Sequence, residues 1–499
     1  MLNFKRFGVA TLVVTTIPWT ASADVTAFDV WTSWQKIAGD MGQTLTSDGE
    51  ARSGNRLIVS NVTVAMNMPD GAVFAPVGDV VFVENGDGTV AIEFGASYPL
   101  RVTGTGAAGE DFDMTVVIRQ PDLSLVASGD PRSPSYTYGA PEITITSDRL
   151  TIGNEVMDFD LDMSLRSLDG VYEVLRSSEA DRRTSIGALA MRLAMEGIEG
   201  PDTNVAVNLT AQNIATASSG AVTPLNAAQS MGELLGQGFA STGETTYGPV
   251  TYSVSGGDGE EQFEIGGSIE SGVTSVQMGA GGLSYGGENI GTEVSVSGTQ
   301  IPFPDLTFAM ERSAATVTLP LAPSEEAQDF GLSTSLSGVT IDDRLWAMFD
   351  PGRMLPRDGA DFAIDLAGRG NLLVDVTDPA IAETLGTSGE MPGEIESLDI
   401  RELRLSVAGL ELSGTGAFAF LEGAMGGSRP EGDLSLRLTG SNALLDRLVA
   451  MGMLPEAMAV QARLMLGLFA RPVAGSDALE STIELRSNGA VFANGQRIR

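Results

Sequence analysis

The stretch Val80-Val81-Phe82-Val83-Glu84-Asn85-Gly86-Asp87-Gly88-Thr89-Val90-Ala91-Ile92-Glu93-Phe94 decides how the rest of the chain is read. Two runs of β-branched and aromatic residues flank Asn-Gly and Asp-Gly, which tolerate the positive φ angles of a tight hairpin turn. Similar runs recur at Ile143-Thr144-Ile145, Leu150-Thr151-Ile152, Phe159 to Leu165, Thr316 to Leu319 and Leu434 to Leu438. Apolar and polar residues alternate along them, as in antiparallel strands with one face half-buried. The fold class expected is mainly β with a few helices (α+β), an elongated, curved antiparallel sheet built from repeated strand-helix-strand units.

Helices are expected where the period changes from two to 3.6. Asp29 to Met41 puts Val30, Trp34, Ile37 and Met41 on one face; Glu179 to Gly197 puts Ile186, Leu189 and Leu193 on one face. Leu225 to Phe239 follows Pro224, and Leu444 to Met451 is separated from Glu456 to Phe469 by Pro455, whose ring and missing N–H stop a helix.

An internal repeat links strands to helices. Leu332 to Leu336 with Ser337-Gly338 leads into Asp343-Arg344-Leu345-Trp346-Ala347-Met348, and Leu434 to Leu438 with Thr439-Gly440 leads into Asp446-Arg447-Leu448-Val449-Ala450-Met451. Related strands follow at Ile364-Asp365-Leu366 and Ile483-Glu484-Leu485, and a weaker third copy begins at Val207-Asn208-Leu209-Thr210. Units of this kind bury their apolar faces against neighbours. The organisation expected is a signal peptide over 1–23, a helix plus β-rich region over 24–200, a central β-rich region over 201–325 and a paired repeat region over 326–499.

Compartment follows from the first residues. Lys5 and Arg6 precede an apolar run from Gly8 to Pro18, too short to span a bilayer, and Ala21-Ser22-Ala23 precedes Asp24. These are the three regions of a cleavable secretory signal, so a periplasmic or secreted protein with cleavage after Ala23 is expected. No cysteine is present, and stability rests on burial and hydrogen bonding without disulfides. The nearest later apolar run, Ala457 to Ala470, is broken by Gln461 and Arg463, so no transmembrane segment is expected in the mature chain. Aromatic residues make up only 6%, without the girdles of an outer-membrane barrel.

Charge and composition exclude more. The formal charge is −36, and loss of Lys5 and Arg6 leaves 27 cations against 65 carboxylates, or −38. Nucleic acid demands a cationic face and is not an expected partner. Zero histidines and zero cysteines remove serine–histidine and cysteine–histidine catalysis, His- or Cys-bound zinc, haem and iron–sulfur chemistry. Gly282-Leu283-Ser284-Tyr285-Gly286 fits a nucleophile elbow, yet no histidine exists to activate Ser284. Ser33-Trp34-Gln35-Lys36 fits the start of a penicillin-recognising site, but Lys36 is the only lysine of the mature chain and no Lys-Thr-Gly can follow. Asp158, Asp160 and Asp162 recur on one strand face and would suit a hard cation, although Met163 stands where a calcium loop needs glycine. Gly257-Asp258-Gly259-Glu260-Glu261 reads as a turn.

The positive signal is hydrophobic surface. The final helix offers Met458, Leu464, Met465, Leu468 and Phe469 as a face for a hydrophobic ligand, and methionine adapts to irregular apolar partners. The signal with its Trp-containing first helix, the Gly-punctuated β body, and the ending Leu434 to Leu438, Asn442-Ala443-Leu444-Leu445-Asp446, Ile483-Glu484-Leu485 and Asn488-Gly489-Ala490-Val491 resemble an uncharacterised bacterial periplasmic family, domain of unknown function 2125. The resemblance covers nearly the whole mature chain. The chain is also distantly similar to AsmA-like and YdgA-like envelope proteins, which implies handling of lipids or support of envelope assembly. The resemblance transfers no catalytic residue, cofactor or metal. The function expected is a non-enzymatic protein that binds a lipid or other hydrophobic ligand, or scaffolds envelope assembly with an envelope protein as partner. The alternatives are a calcium-stabilised interaction module and a carboxylate-dependent hydrolase of envelope polysaccharide.

Overall fold

The computed structural model of the chain describes residues 24–68, 71–106, 109–174, 182–198, 204–220, 231–258, 261–301, 305–378, 381, 384–385, 391–422 and 428–499. Among them, 27 strands join one hydrogen-bonded sheet. Every pairing is antiparallel, from the ladder of 43–46 on 56–68 to that of 491–493 on 496–497. The expected signal peptide lies outside the described residues. The hairpin that set the reading is present: Phe82 pairs with Ile92 and Glu84 with Val90, and Gly86 and Gly88 carry the positive φ angles of 78° and 86°.

The densest core sits at the N-terminal end of the sheet. Helix α1 (Ala27–Asp40) begins with a capping box, in which the Thr26 hydroxyl accepts from the Asp29 N–H at 3.2 Å and the Asp29 carboxylate accepts from the Thr26 N–H at 3.0 Å. Its inward stripe is Ala27, Val30, Trp31 and Ala38, with Trp34 and Ile37 at the margin. The sequence period named Trp34 but missed Trp31, which is fully buried and donates its indole N–H to Glu50 at 2.7 Å. Phe82 packs edge-on against Trp34 at 5.5 Å and tilted against Trp31 at 6.0 Å. Val59, Val62, Val80, Val90, Ile92 and Tyr136 complete this core, and burial pushes the Tyr136 hydroxyl up to about 12.

Beyond that core the described strands continue as one ladder, in which 393–407 also approaches 428–439 across the strand between them. Residues directly opposite one another share a face, so the register aligns side chains into rows. One row runs Tyr98, Ile118, Ile145, Met163, Leu193, Leu209, Tyr252, Gly267, Val294, Phe308, Ile341 across eleven strands. Another runs Leu336, Phe362, Leu405, Leu412, Leu438, Leu479. All of these residues are half-buried.

Among the described residues four helices with defined bounds follow α1, and residues 381 and 384–385 are helical as well. Helix α2 (Met231–Gly236) lies in the segment expected to be helical from Leu225; residues 225–230 are outside the described ones. Helix α3 (Asp343–Phe349) joins the paired strands 328–341 and 360–372. Helices α4 (Ser441–Ala450) and α5 (Glu456–Phe469) join the paired strands 428–439 and 478–485. Both copies of the repeat are thus strand, helix and returning strand, and both continue into Met-Leu-Pro, at 354–356 and 453–455. The weaker third copy also returns, with 204–220 pairing to 241–247 after α2.

The helix expected over Glu179 to Gly197 is not formed; residues 182–198 are a strand paired on both sides, to 159–174 and to 204–220. Met191, Leu193 and Met195 also alternate with Ala190, Arg192 and Ala194, and two ladders outweigh the helix propensity of alanine, leucine and methionine.

Phe82→Ala is expected to cost about 3–5 kcal/mol in the cooperative unfolding of the N-terminal core. Phe263→Ala, at a site 44% exposed, should cost less than about 1 kcal/mol. Paired urea melts of the two variants, followed by tryptophan fluorescence, measure the contrast.

Candidate functional site

The register places α3, α4 and α5 at one end of the strands. Val339 pairs with Ala360, Asp361 with Ser406, Val407 with Leu410, Glu411 with Thr439, and Thr439 with Ala478. The turn at Ala408-Gly409 lies between the helices, since a Cβ on Gly409 would stand 3.1 Å from the Arg447 guanidinium and 3.3 Å from the Pro356 ring. Helix α2 belongs to the opposite end, where the Gly232 N–H donates to the Thr377 hydroxyl at 3.0 Å.

Two carboxylates anchor this end. Asp350, fully buried after α3, accepts the N–H groups of Met354 at 2.8 Å and Leu355 at 3.0 Å. Arg357 donates to the Asp350 carbonyl at 2.8 Å and lies 5.2 Å over the Trp346 ring. Burial pushes the Asp350 carboxyl up, but those N–H groups and the Arg357 charge outweigh it and hold the group below its ordinary value. Asp477 plays the matching part for α4, accepting from the Ala443 N–H at 3.0 Å and the Asn442 amide at 2.8 Å. Burial again pushes upward, and the Ala443 and Asn442 donors with the Arg463 charge bring this carboxyl below its ordinary value.

Helix α5 is fixed to α4 by Arg463, which donates to Asn442 at 3.0 Å and to Asp446 at 2.6 Å. Its last carbonyl, on Phe469, accepts from Ser481 and from Asn494. The face it packs inward is small: Ala459 is fully buried, and Ala462 and Leu466 are half-buried. The large apolar side chains point away. Met458 is 55% exposed, Leu464 67%, Met465 51%, Leu468 63% and Phe469 41%, and Val460 joins them on the same half of the helix. All five residues expected to form a hydrophobic-ligand face therefore share one surface. That surface opens to solvent instead of lining an enclosed groove. Met348, Phe349, Met354 and Met453 add to the exposed apolar surface of this strand end.

The other candidates stay apart from it. Asp160 and Asp162 project from strand 159–174 to solvent, Asp158 precedes the strand, and Asp162 pairs with Arg192 at 3.0 Å. Among the described residues no group of three or more acids is placed to hold a metal ion. Ser284 sits inside strand 282–298 and accepts from the Thr318 hydroxyl at 3.4 Å. Lys36 pairs with Asp40 at 2.9 Å on the exposed side of α1. Asp258 accepts the Glu261 N–H at 2.9 Å in a turn whose residues 259–260 lie outside the described ones.

The family match covers the half of the chain that holds α3, α4 and α5. Residues 245–498 match the family described as "Uncharacterized protein conserved in bacteria (DUF2125)". The chain belongs to the DUF2125 family. No curated protein and no solved structure matches it. The DUF2125 segment contains both Met-Leu-Pro units and the second apolar row. The N-terminal core with α1 lies before it, so the match is narrower than the resemblance over nearly the whole mature chain.

Leu464→Glu with Leu468→Glu is expected to leave the melting midpoint within experimental scatter, because both side chains already face water. The same pair should abolish binding of an environment-sensitive apolar dye at α5. Acid is expected to loosen this end first. Carboxyls depressed below 3.8 stabilise the fold above that pH, and the contribution disappears as pH falls through their lowered values. Hydrogen exchange at the Met354, Leu355 and Ala443 amides, followed from pH 6 to pH 2, reads this out.

Proposed function

We propose that this DUF2125 member is an exported periplasmic protein that performs no catalysis and holds a lipid acyl chain, or another extended apolar ligand, along the half-covered face of an elongated, curved sheet. The observation that carries the reading is the pair of rows aligned by the register, Tyr98 to Ile341 and Leu336 to Leu479, whose side chains stay only half-buried. A row of side chains spaced by the strand separation of about 4.8 Å offers a continuous strip to a polymethylene chain.

Curvature has separate support. Ser167, Asn213, Gly291 and Gly338 take φ angles of 50° to 63° in mid-strand, on every second long strand, and left-handed residues at such points bend and twist a ladder. Residues of 393–407 and 428–439 come within 8 Å across an intervening strand, where a flat sheet would separate them by about 9.6 Å.

The strand-helix-strand units fit the same picture. In both repeat copies the helix sits beyond the strand end, so it extends the apolar surface and leaves the sheet face open. With no histidine or cysteine, the chain lacks the usual nucleophile activators and transition-metal ligands, which favours binding over turnover.

Native mass spectrometry of protein purified gently from its own periplasm, followed by organic extraction, tests the reading. The expected result is a chain beginning at Asp24 that carries a stoichiometric acyl-containing adduct. An adduct-free protein that also fails to take up a fatty acid or phospholipid would overturn it.

A further inference from the structure

A groove of about 890 Å³ opens at one end of the apolar face, where strand 159–174 parts from strand 133–152. The two are paired from Asp162 with Thr146 onward, but before that point the earlier strand turns back on itself through Gly153-Asn154, and Glu155 pairs with Ile152. Sheet continuity is thus broken on one side of Phe159 to Leu161, and the gap becomes a wedge. Its volume falls within the range of small-molecule sites, about 300–1,000 Å³.

The floor and the rim differ in chemistry. Half-buried Leu150, Met157, Phe159, Met195 and Val207 make the floor. Met195 and Val207 also belong to an apolar row that continues through Val254, Ile265, Val296 and Leu306, so the floor leads onto the sheet face. Glu110, Glu155, Asp158 and Glu196 make the rim, all exposed, and among the described residues no lysine or arginine lines the groove. One rim acid, Glu196, accepts from the Asn204 amide at 3.0 Å.

We infer that this groove seats the head of a single-chain amphiphile whose headgroup carries a positive charge, with its chain running onto the apolar floor. The inference rests on the acyl-holding reading above and adds the headgroup. Four carboxylates around an apolar floor attract an ammonium group and repel a phosphate, sulfate or carboxylate head, so the rim selects by repulsion as well as attraction. Because the acids are exposed, the selection is screened by salt.

Three probes of equal chain length, each below its micelle concentration, separate the claims: dodecyltrimethylammonium, dodecyl maltoside and dodecyl sulfate. Titration calorimetry of the full mature chain reads affinity. Carbon-13 methyl signals of Met157 and Met195, assigned with Met157→Leu and Met195→Leu, locate the probe and distinguish it from one bound at Met458 or Met465 on α5. The expected result is one site that prefers the ammonium probe at least tenfold over the other two and shifts Met157 and Met195. The preference should shrink as salt rises. Glu155→Gln with Asp158→Asn and Glu196→Gln, isosteric changes on exposed groups, should remove the preference and leave maltoside binding unchanged. Equal affinity for all three probes would overturn the charge selection while leaving the acyl-holding reading intact. Ammonium binding that the triple variant does not weaken, or that shifts only the α5 methionines, would overturn the site. Failure of every probe, maltoside included, would count against the acyl-holding reading itself.

Discussion

The rest of the structure depends on one packing constraint, a very long antiparallel ladder whose dense core among the described residues lies at its N-terminal end. A strand such as Ser133–Ile152 satisfies its backbone groups through its neighbours on both sides, so the sheet needs no second layer to pair its N–H and C=O groups. It does need something to remove its apolar side chains from water. Helix α1 does so for Val59, Phe82 and Val90, whereas among the described residues the rows from Ile118 to Ile341 and from Leu336 to Leu479 stay half-buried. Half-buried apolar side chains leave part of their surface in water, where further burial would be favourable.

How much of this was legible in the sequence depends on range. The Asn85 to Gly88 hairpin, α1 and α5 were readable because turn chemistry and helical period are local. The segment from Glu179 was misread for the same reason. Its alanines, leucines and methionines suit a helix locally, and only the ladders with 159–174 and 204–220 decide otherwise. The apolar rows were not legible at all. Steps of a row join residues of different strands, some as near as Leu405 and Leu412 and others as far apart as Phe308 and Ile341, and an alternation pattern states which residues share a face without stating their partners.

On α5 the five residues from Met458 to Phe469 share one exposed surface, and the helix packs through Ala459, Ala462 and Leu466 while Arg463 ties it to Asn442 and Asp446. The groove at Phe159 was beyond the reach of sequence, because it arises from two strands parting.

An open sheet also has ends, and the C-terminal end has a consequence for association. The last ladders are short, Val491–Ala493 on 483–485 and Gln496–Arg497 on 492–493, and the final residues bring Arg497 and Arg499 to that edge. A brief, cationic edge offers little backbone to an incoming strand, so this edge is blunted against strand addition.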